Sequence, residues 1–144
     1  VTPKTRVFLD SNILLSASLA SPNNFSVYWD IPSVDVLTCQ YPIDEVSRNL
    51  QTPEHRANLW QLIYRSHLVS DRDEVVLLPP VALPRKDEPI LKSAIGANAD
   101  ILVTGDRNHF GRYFGKVIQG TLILPPHRFR RKYSEHFIAD LPNA

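Results

Sequence analysis

Four short runs, Arg6–Leu9, Val34–Cys39, Asp100–Val103 and Thr121–Leu124, are apolar with almost no polar interruption. A strand with one wet face alternates apolar and polar residues, so continuous runs this short read as strands covered on both faces. Helix-like segments lie between them. Asn12–Ala20, "NILLSASLA", follows a polar break at Asp10-Ser11-Asn12, and Tyr41–Leu50 carries Pro42 in its first turn, where a missing N–H does no harm. Thr52-Pro53-Glu54 is a helix start with a Thr cap, Pro and an acid at the positive end. In the helix that follows, Leu59, Leu62 and Ile63 form an apolar stripe that Trp60 and Tyr64 widen. Residues 88–98, "EPILKSAIGAN", form another helix, and Glu74–Leu78 reads as a further strand closed by Pro79-Pro80. Five strands alternating with helices specify an α/β fold with a mainly parallel sheet.

A chain of 144 residues with 43% apolar side chains supports one domain with a real core. No apolar run approaches the roughly 20 residues that cross a bilayer, and no signal-peptide pattern stands at the N-terminus. The lone Cys39 sits in an apolar stretch and reads as a buried thiol. The expectation is a soluble, cytoplasmic protein in a reducing setting, with no membrane partner.

In a doubly wound sheet, ligands bind beyond the carboxyl ends of the strands. Asp10 ends the first strand, and in "ADILVTGDRNHF" the apolar run breaks at Gly105 to present Asp106. Glu45 lies in the first turns of the helix after the second strand, and Asp87 precedes the helix that leads back to the strand before Asp106. Each acid has an ordinary reading: Asp10 and Asp87 as helix caps, Asp106 as a turn residue, Glu45 as a solvated helix residue. Together, four carboxylates on one edge repel one another and raise one another's pKa unless cations neutralise them. Hard divalent ions such as Mg²⁺ or Mn²⁺ suit an all-oxygen set, and the absence of a Cys/His set disfavours zinc.

"VFLDSNILLSA" at 7–17, "IDEVSRNL" at 43–50, "KDEPILKSAIGANADILVTGD" at 86–106 and the "HF" after Arg107-Asn108 resemble the PIN domain family of metal-dependent nucleases. The likeness runs to about Phe129, where "ILPPHRF" is similar to the ending of PIN domains close to bacterial VapC-type toxins. The resemblance implies an α/β/α sandwich around a five-stranded sheet, Mg²⁺- or Mn²⁺-dependent RNA cleavage, and Asp10, Glu45, Asp87 and Asp106 as the acidic metal-site residues. It implies Asn12 and Thr104 as polar supports. Asn108 stands beside them at a position often acidic in relatives with a "TGD" turn. A small protein antitoxin that inserts a basic side chain into the acidic edge follows from the toxin-like reading, and pairing of two copies through helices such as 53–68 is common among related domains. Composition changes abruptly from His127 onward, and the extent of the resemblance implies a PIN-like nuclease domain at 1–129 followed by a basic C-terminal tail at 130–144.

A metal held by Asp10 and Asp106 would neutralise phosphodiester charge and activate water, with Asp87 completing the shell or binding a second ion and Glu45 orienting the water or taking its proton. In-line attack by water leaves 5′-phosphate and 3′-hydroxyl ends. The chain carries a net charge of only +1, yet from Arg107 to Ser134 it contains no acid. Arg107, Arg112, Arg128, Arg130, Arg131 and Lys132 in that stretch are candidate phosphate contacts, and Phe110, Tyr113 and Phe114 are candidate stacking residues or core. His109 reads as structural, because an acidic mechanism needs no imidazole. Two other classes stay open: a catalytically weak module that binds RNA or protein, which Asn108 favours, and a phospho-aspartate domain, which lacks a well-placed lysine near the last strand.

Overall fold

The structure is a computed structural model, and it describes residues 2–19 and 24–137. Its chain order is β1 (Thr5–Leu9), α1 (Ser11–Leu19), a 3₁₀ turn (Ser26–Asp30), β2 (Val34–Thr38), α2 (Gln40–Asn49), α3 (Pro53–Tyr64), β3 (His67–Leu68), α4 (Glu88–Gly96), β4 (Ile101–Val103), α5 (Arg107–Phe110), a 3₁₀ turn (Gly111–Tyr113), β5 (Val117–Ile118), β6 (Thr121–Leu124), α6 (Pro126–Lys132) and a last 3₁₀ turn (Ser134–His136). Ala20, expected at the end of the first helix, lies outside the described residues, as do residues 138–144 of the basic tail.

The sheet has the order β3-β2-β1-β4-β6-β5, parallel except for the β5–β6 pair. β1 is central: Val7 pairs with Val36 on one side and Ile101 on the other. Strand order reverses between β1 and β4, which puts a crevice beyond their carboxyl ends. Alternate β1 residues feed two cores. Val7 and Leu9 pack with Ile13, Ala17, Tyr28, Ile101 and Phe129 on one face, and Phe8 packs with Leu37, Leu91, Leu102 and Phe110 on the other. Burial on both faces is the reason these strands contain so few polar residues. A third cluster, Leu14, Ile43, Val46, Leu50 and Leu59, joins α1, α2 and α3.

The sheet has six strands rather than five, and one of the expected five is absent. Residues 74–78 keep their alternation, with Val75 and Leu77 half-buried and Val76 and Leu78 exposed, but form no ladder. Their backbone is satisfied by a side-chain amide instead: Leu78 N–H donates to Gln119 Oε1 at 2.9 Å, and Gln119 Nε2 donates to the Val76 carbonyl at 3.1 Å. The sheet edges are taken by β3 and β5, two residues each, too short to leave a periodic signal.

The Thr52 hydroxyl accepts from His55 N–H at 3.1 Å, the cap expected from the sequence. The stripe on α3 is narrower than expected: Leu59 and Leu62 are buried, but Trp60 is 59% and Tyr64 91% exposed. Pro126 opens α6, which runs through position 130, the start expected for the basic tail. Phe129 is fully buried against Tyr28 at 4.8 Å, and Tyr133 and Phe137 pack on the same core. Among the described residues, no helix is long and apolar enough to cross a membrane.

Candidate metal centre and adjoining cleft

Asp10 sits where β1 ends, its N–H bonded to the Val103 carbonyl at 3.0 Å, so the end of β1 is pinned to β4. Its carbonyl starts α1 by accepting from Ile13 and Leu14, while its carboxylate accepts from Ser11 N–H at 2.7 Å and Thr104 Oγ1 at 2.8 Å. The residue is only 4% exposed. Burial pushes its pKa from 3.8 up to about 6, the charges of Asp87 and Glu45 push the same way, and the Thr104 and Ser11 hydrogen bonds oppose them.

The fully buried Thr104 ties two acids together: its hydroxyl donates to Asp10 and accepts from Asp106 N–H at 3.1 Å. Asn12 spans the same turn. Its Oδ1 accepts from Gly105 N–H at 3.0 Å and its Nδ2 reaches Asp10 Oδ2 at 3.4 Å. Gly105, where the apolar run breaks, does not have a positive φ. Its value is closeness: a Cβ there would stand 3.3 Å from Asn12 Oδ1.

Asp106 caps α5 through a hydrogen bond from His109 N–H to Oδ1 at 3.1 Å. Asp87 occupies the N-cap position of α4 without a side-chain capping bond, so it is not held there as a cap. Its Oδ2 is buried and has no hydrogen bond, although His109 Nδ1 lies 2.9 Å away. That nitrogen is also 2.8 Å from Asp106 Oδ2, which is its hydrogen-bond partner. Burial is the main cause that raises the Asp87 pKa, and Asp106 and Glu45 add to it while His109 and Lys86 oppose.

The structure therefore brings Asp87 and Asp106 together with a residue the sequence reading had assigned to structure. One ligand atom each from Asp87, Asp106 and His109 lies within 4.8 Å of the other two. Asp10 and Glu45 are not in that triple contact, but their charges act within the site. Glu45 is half-buried on α2 and lines a shallow depression with Ser11 and Asn12. Tyr41, also unforeseen, fastens α2 to the segment before α4 by donating to the Lys86 carbonyl at 2.8 Å. Asn108 is exposed on α5.

A cleft of about 400 Å³ opens beside Asn12, Gly105 and Asp106 and runs to α6, where His127 and Arg130 line it. Arg107, Arg128, Arg130 and Arg131 all act on His127, whose pKa falls through burial first and then through these charges. That places four of the six candidate basic residues around one imidazole. Lys132 is exposed on α6, while Arg112 lies 5.9 Å over the Tyr113 ring. Phe110 and Tyr113 are buried in the core and unavailable for base stacking, whereas Phe114 is half-buried and lines the cleft. Cys39 is a buried free thiol whose pKa is pushed up to about 12, mainly by burial.

Residues 6–108 match the family model described as PIN domain. Among solved structures, the fold is similar to a crystal structure of VapBC2 from Rickettsia felis bound to a DNA fragment from their promoter. The two share a TM-score of 0.60 and 16% identity, over 84% of this chain and 98% of that one. At that identity the likeness speaks for the fold. No curated protein matches the chain.

Proposed function

The chain belongs to the PIN domain family, and from that premise we propose that it is a divalent-metal-dependent endoribonuclease, the VapC-like toxin of a toxin–antitoxin pair. The observation that carries this reading is the convergence of Asp87 and Asp106 at the switch point, with the buried Asp10 pinned to Asp106 through Thr104.

The donor set fits a hard cation. Asp87 Oδ2 is buried without a hydrogen bond and faces a second carboxylate, an arrangement that costs free energy until positive charge is supplied. Asp10, Asp87 and Asp106 would hold Mg²⁺ or Mn²⁺, with Glu45 near enough to contribute. Such an ion, when bound, neutralises phosphodiester charge and lowers the pKa of a coordinated water. Glu45 orients the attacking water or accepts its proton, and Thr104 and Asn12 keep Asp10 and the Gly105–Asp106 turn in register. Attack by water leaves 5′-phosphate and 3′-hydroxyl ends.

RNA enters along the cleft, where Arg107 and Arg130 meet its phosphates and Phe114 offers an aromatic wall; Arg112, Arg128, Arg131 and Lys132 extend the track. Residues 1–129 carry the chemistry and the basic segment 130–144 adds to the track. A protein antitoxin covers the acidic edge with a basic side chain, a pairing that the likeness to VapBC2 supports. The protein works in the cytoplasm. Asn108 favours a second reading, a catalytically weak PIN module that holds RNA or protein, because an exposed amide there leaves the site one charge short of its acidic relatives.

The test is cleavage of a mixed-structure RNA with Mn²⁺, Mg²⁺ or EDTA, comparing wild type with Asp106→Asn. Metal-dependent cutting with 5′-phosphate ends, lost in the variant, is the expected result. Metal binding by a folded wild type that never cuts would select the binding module.

A further inference from the structure

α5 is only four residues long, and it delivers His109 to the acids with little freedom. Asp106 caps it, His109 N–H is fixed on Asp106 Oδ1 at 3.1 Å, and the ring, three residues on, turns Nδ1 to 2.8 Å from Asp106 Oδ2 and 2.9 Å from Asp87 Oδ2. A ring nitrogen carries at most one proton. It satisfies one carboxylate as a donor, and Asp87 Oδ2 remains buried without a hydrogen bond.

Neighbouring ligands on an octahedral ion at about 2.1 Å are about 3.0 Å apart. The two nitrogen-to-oxygen distances at His109 match such an edge. We propose that His109, through Nδ1, is a direct ligand of the divalent cation bound by Asp87 and Asp106, and that this nitrogen makes the centre select Mn²⁺ over Mg²⁺. The proposal rests on the metal-site reading above and adds an imidazole to what that reading takes as an oxygen-only shell. Imidazole suits later first-row ions, whereas Mg²⁺ prefers oxygen donors, so one nitrogen among carboxylates shifts preference along the Irving–Williams order. An all-carboxylate site would not have that bias to the same degree.

Calorimetric titration with Mn²⁺ and with Mg²⁺, together with pulsed electron paramagnetic resonance of the Mn²⁺ complex, tests this on the whole chain. Wild type is expected to show imidazole nitrogen coupling to Mn²⁺. His109→Ala is expected to lose that coupling and about tenfold or more in Mn²⁺ affinity, with a much smaller change for Mg²⁺. His109→Gln keeps an N–H donor for the carboxylates but offers no ring nitrogen, and should behave like His109→Ala. Full Mn²⁺ affinity in His109→Gln would make His109 a hydrogen-bonding residue and overturn the proposal. Mn²⁺ bound by wild type without nitrogen coupling would overturn it while leaving the metal site intact. Failure of the folded wild type to bind either ion would overturn the metal-site reading and the proposal with it.

Discussion

Thr104 shows how much one buried hydroxyl can organise. It gives its proton to Asp10 and takes one from the backbone of Asp106, so Thr104→Val removes both bonds at nearly constant volume. We expect a loss of about 1–3 kcal/mol in urea unfolding, because Asp10 and the Asp106 N–H stay buried with fewer partners. RNA cleavage should fall on the order of a hundredfold, the usual result of letting a reacting group drift by about an ångström. Unchanged cleavage in a destabilised variant would confine Thr104 to a structural role. The places of Asp10, Asp87 and Asp106 were legible in the sequence because each follows a strand or opens a helix at the carboxyl edge, whereas Glu45 sits in the middle of α2. His109 was not legible. Its only signal is the three-residue spacing from Asp106, and its approach to Asp87 depends on α4, whose place across the sheet no local pattern encodes.

Among the elements, those with a strong local signal were readable: β1, β2, β4 and β6 from mostly apolar runs, α3 from its cap. Thr52→Ala should cost about 1 kcal/mol and Thr52→Gly a few tenths, measured by urea denaturation. Equal losses in both would mean that the hydroxyl bond to His55 N–H contributes nothing. The two-residue strands escape any reading by period, and segment 74–78 imitates a strand because core-facing side chains alternate whether or not the backbone joins a ladder. α6 was obscured by Pro125-Pro126, which reads equally as a strand stop and as a helix start. Trp60 and Tyr64 carry the composition of an apolar stripe but point outward, a distinction that depends on which neighbours the helix meets.

For the molecule as a whole, the buried Asp10 couples stability to pH and to metal. Its pKa rises from 3.8 to about 6 on folding, so the folded chain holds a proton that the unfolded chain has released. The corresponding stability is full below pH 3.8 and is lost as pH rises through 6, a change of about 3 kcal/mol. Without divalent ions, Asp10→Asn should therefore gain on wild type between pH 4.5 and 7.5 in thermal melts. Added Mn²⁺ should raise the wild-type Tm more at pH 7.5 than at pH 5, since the carboxylate must be ionised to bind. The same Mn²⁺ effect in Asp10→Asn would remove Asp10 from the site. The exposed Trp60 and Tyr64 form an apolar face on α3, and a dimer built through it should dissociate in Trp60→Ala/Tyr64→Ala, read by light scattering. Whatever pairing occurs, the sheet is a poor template for it. With two-residue strands at both ends of its ladder, it offers an incoming backbone too few free amides and carbonyls to extend by strand addition. The fold should thus resist growth into cross-β fibres, and any contact between copies is left to its helices.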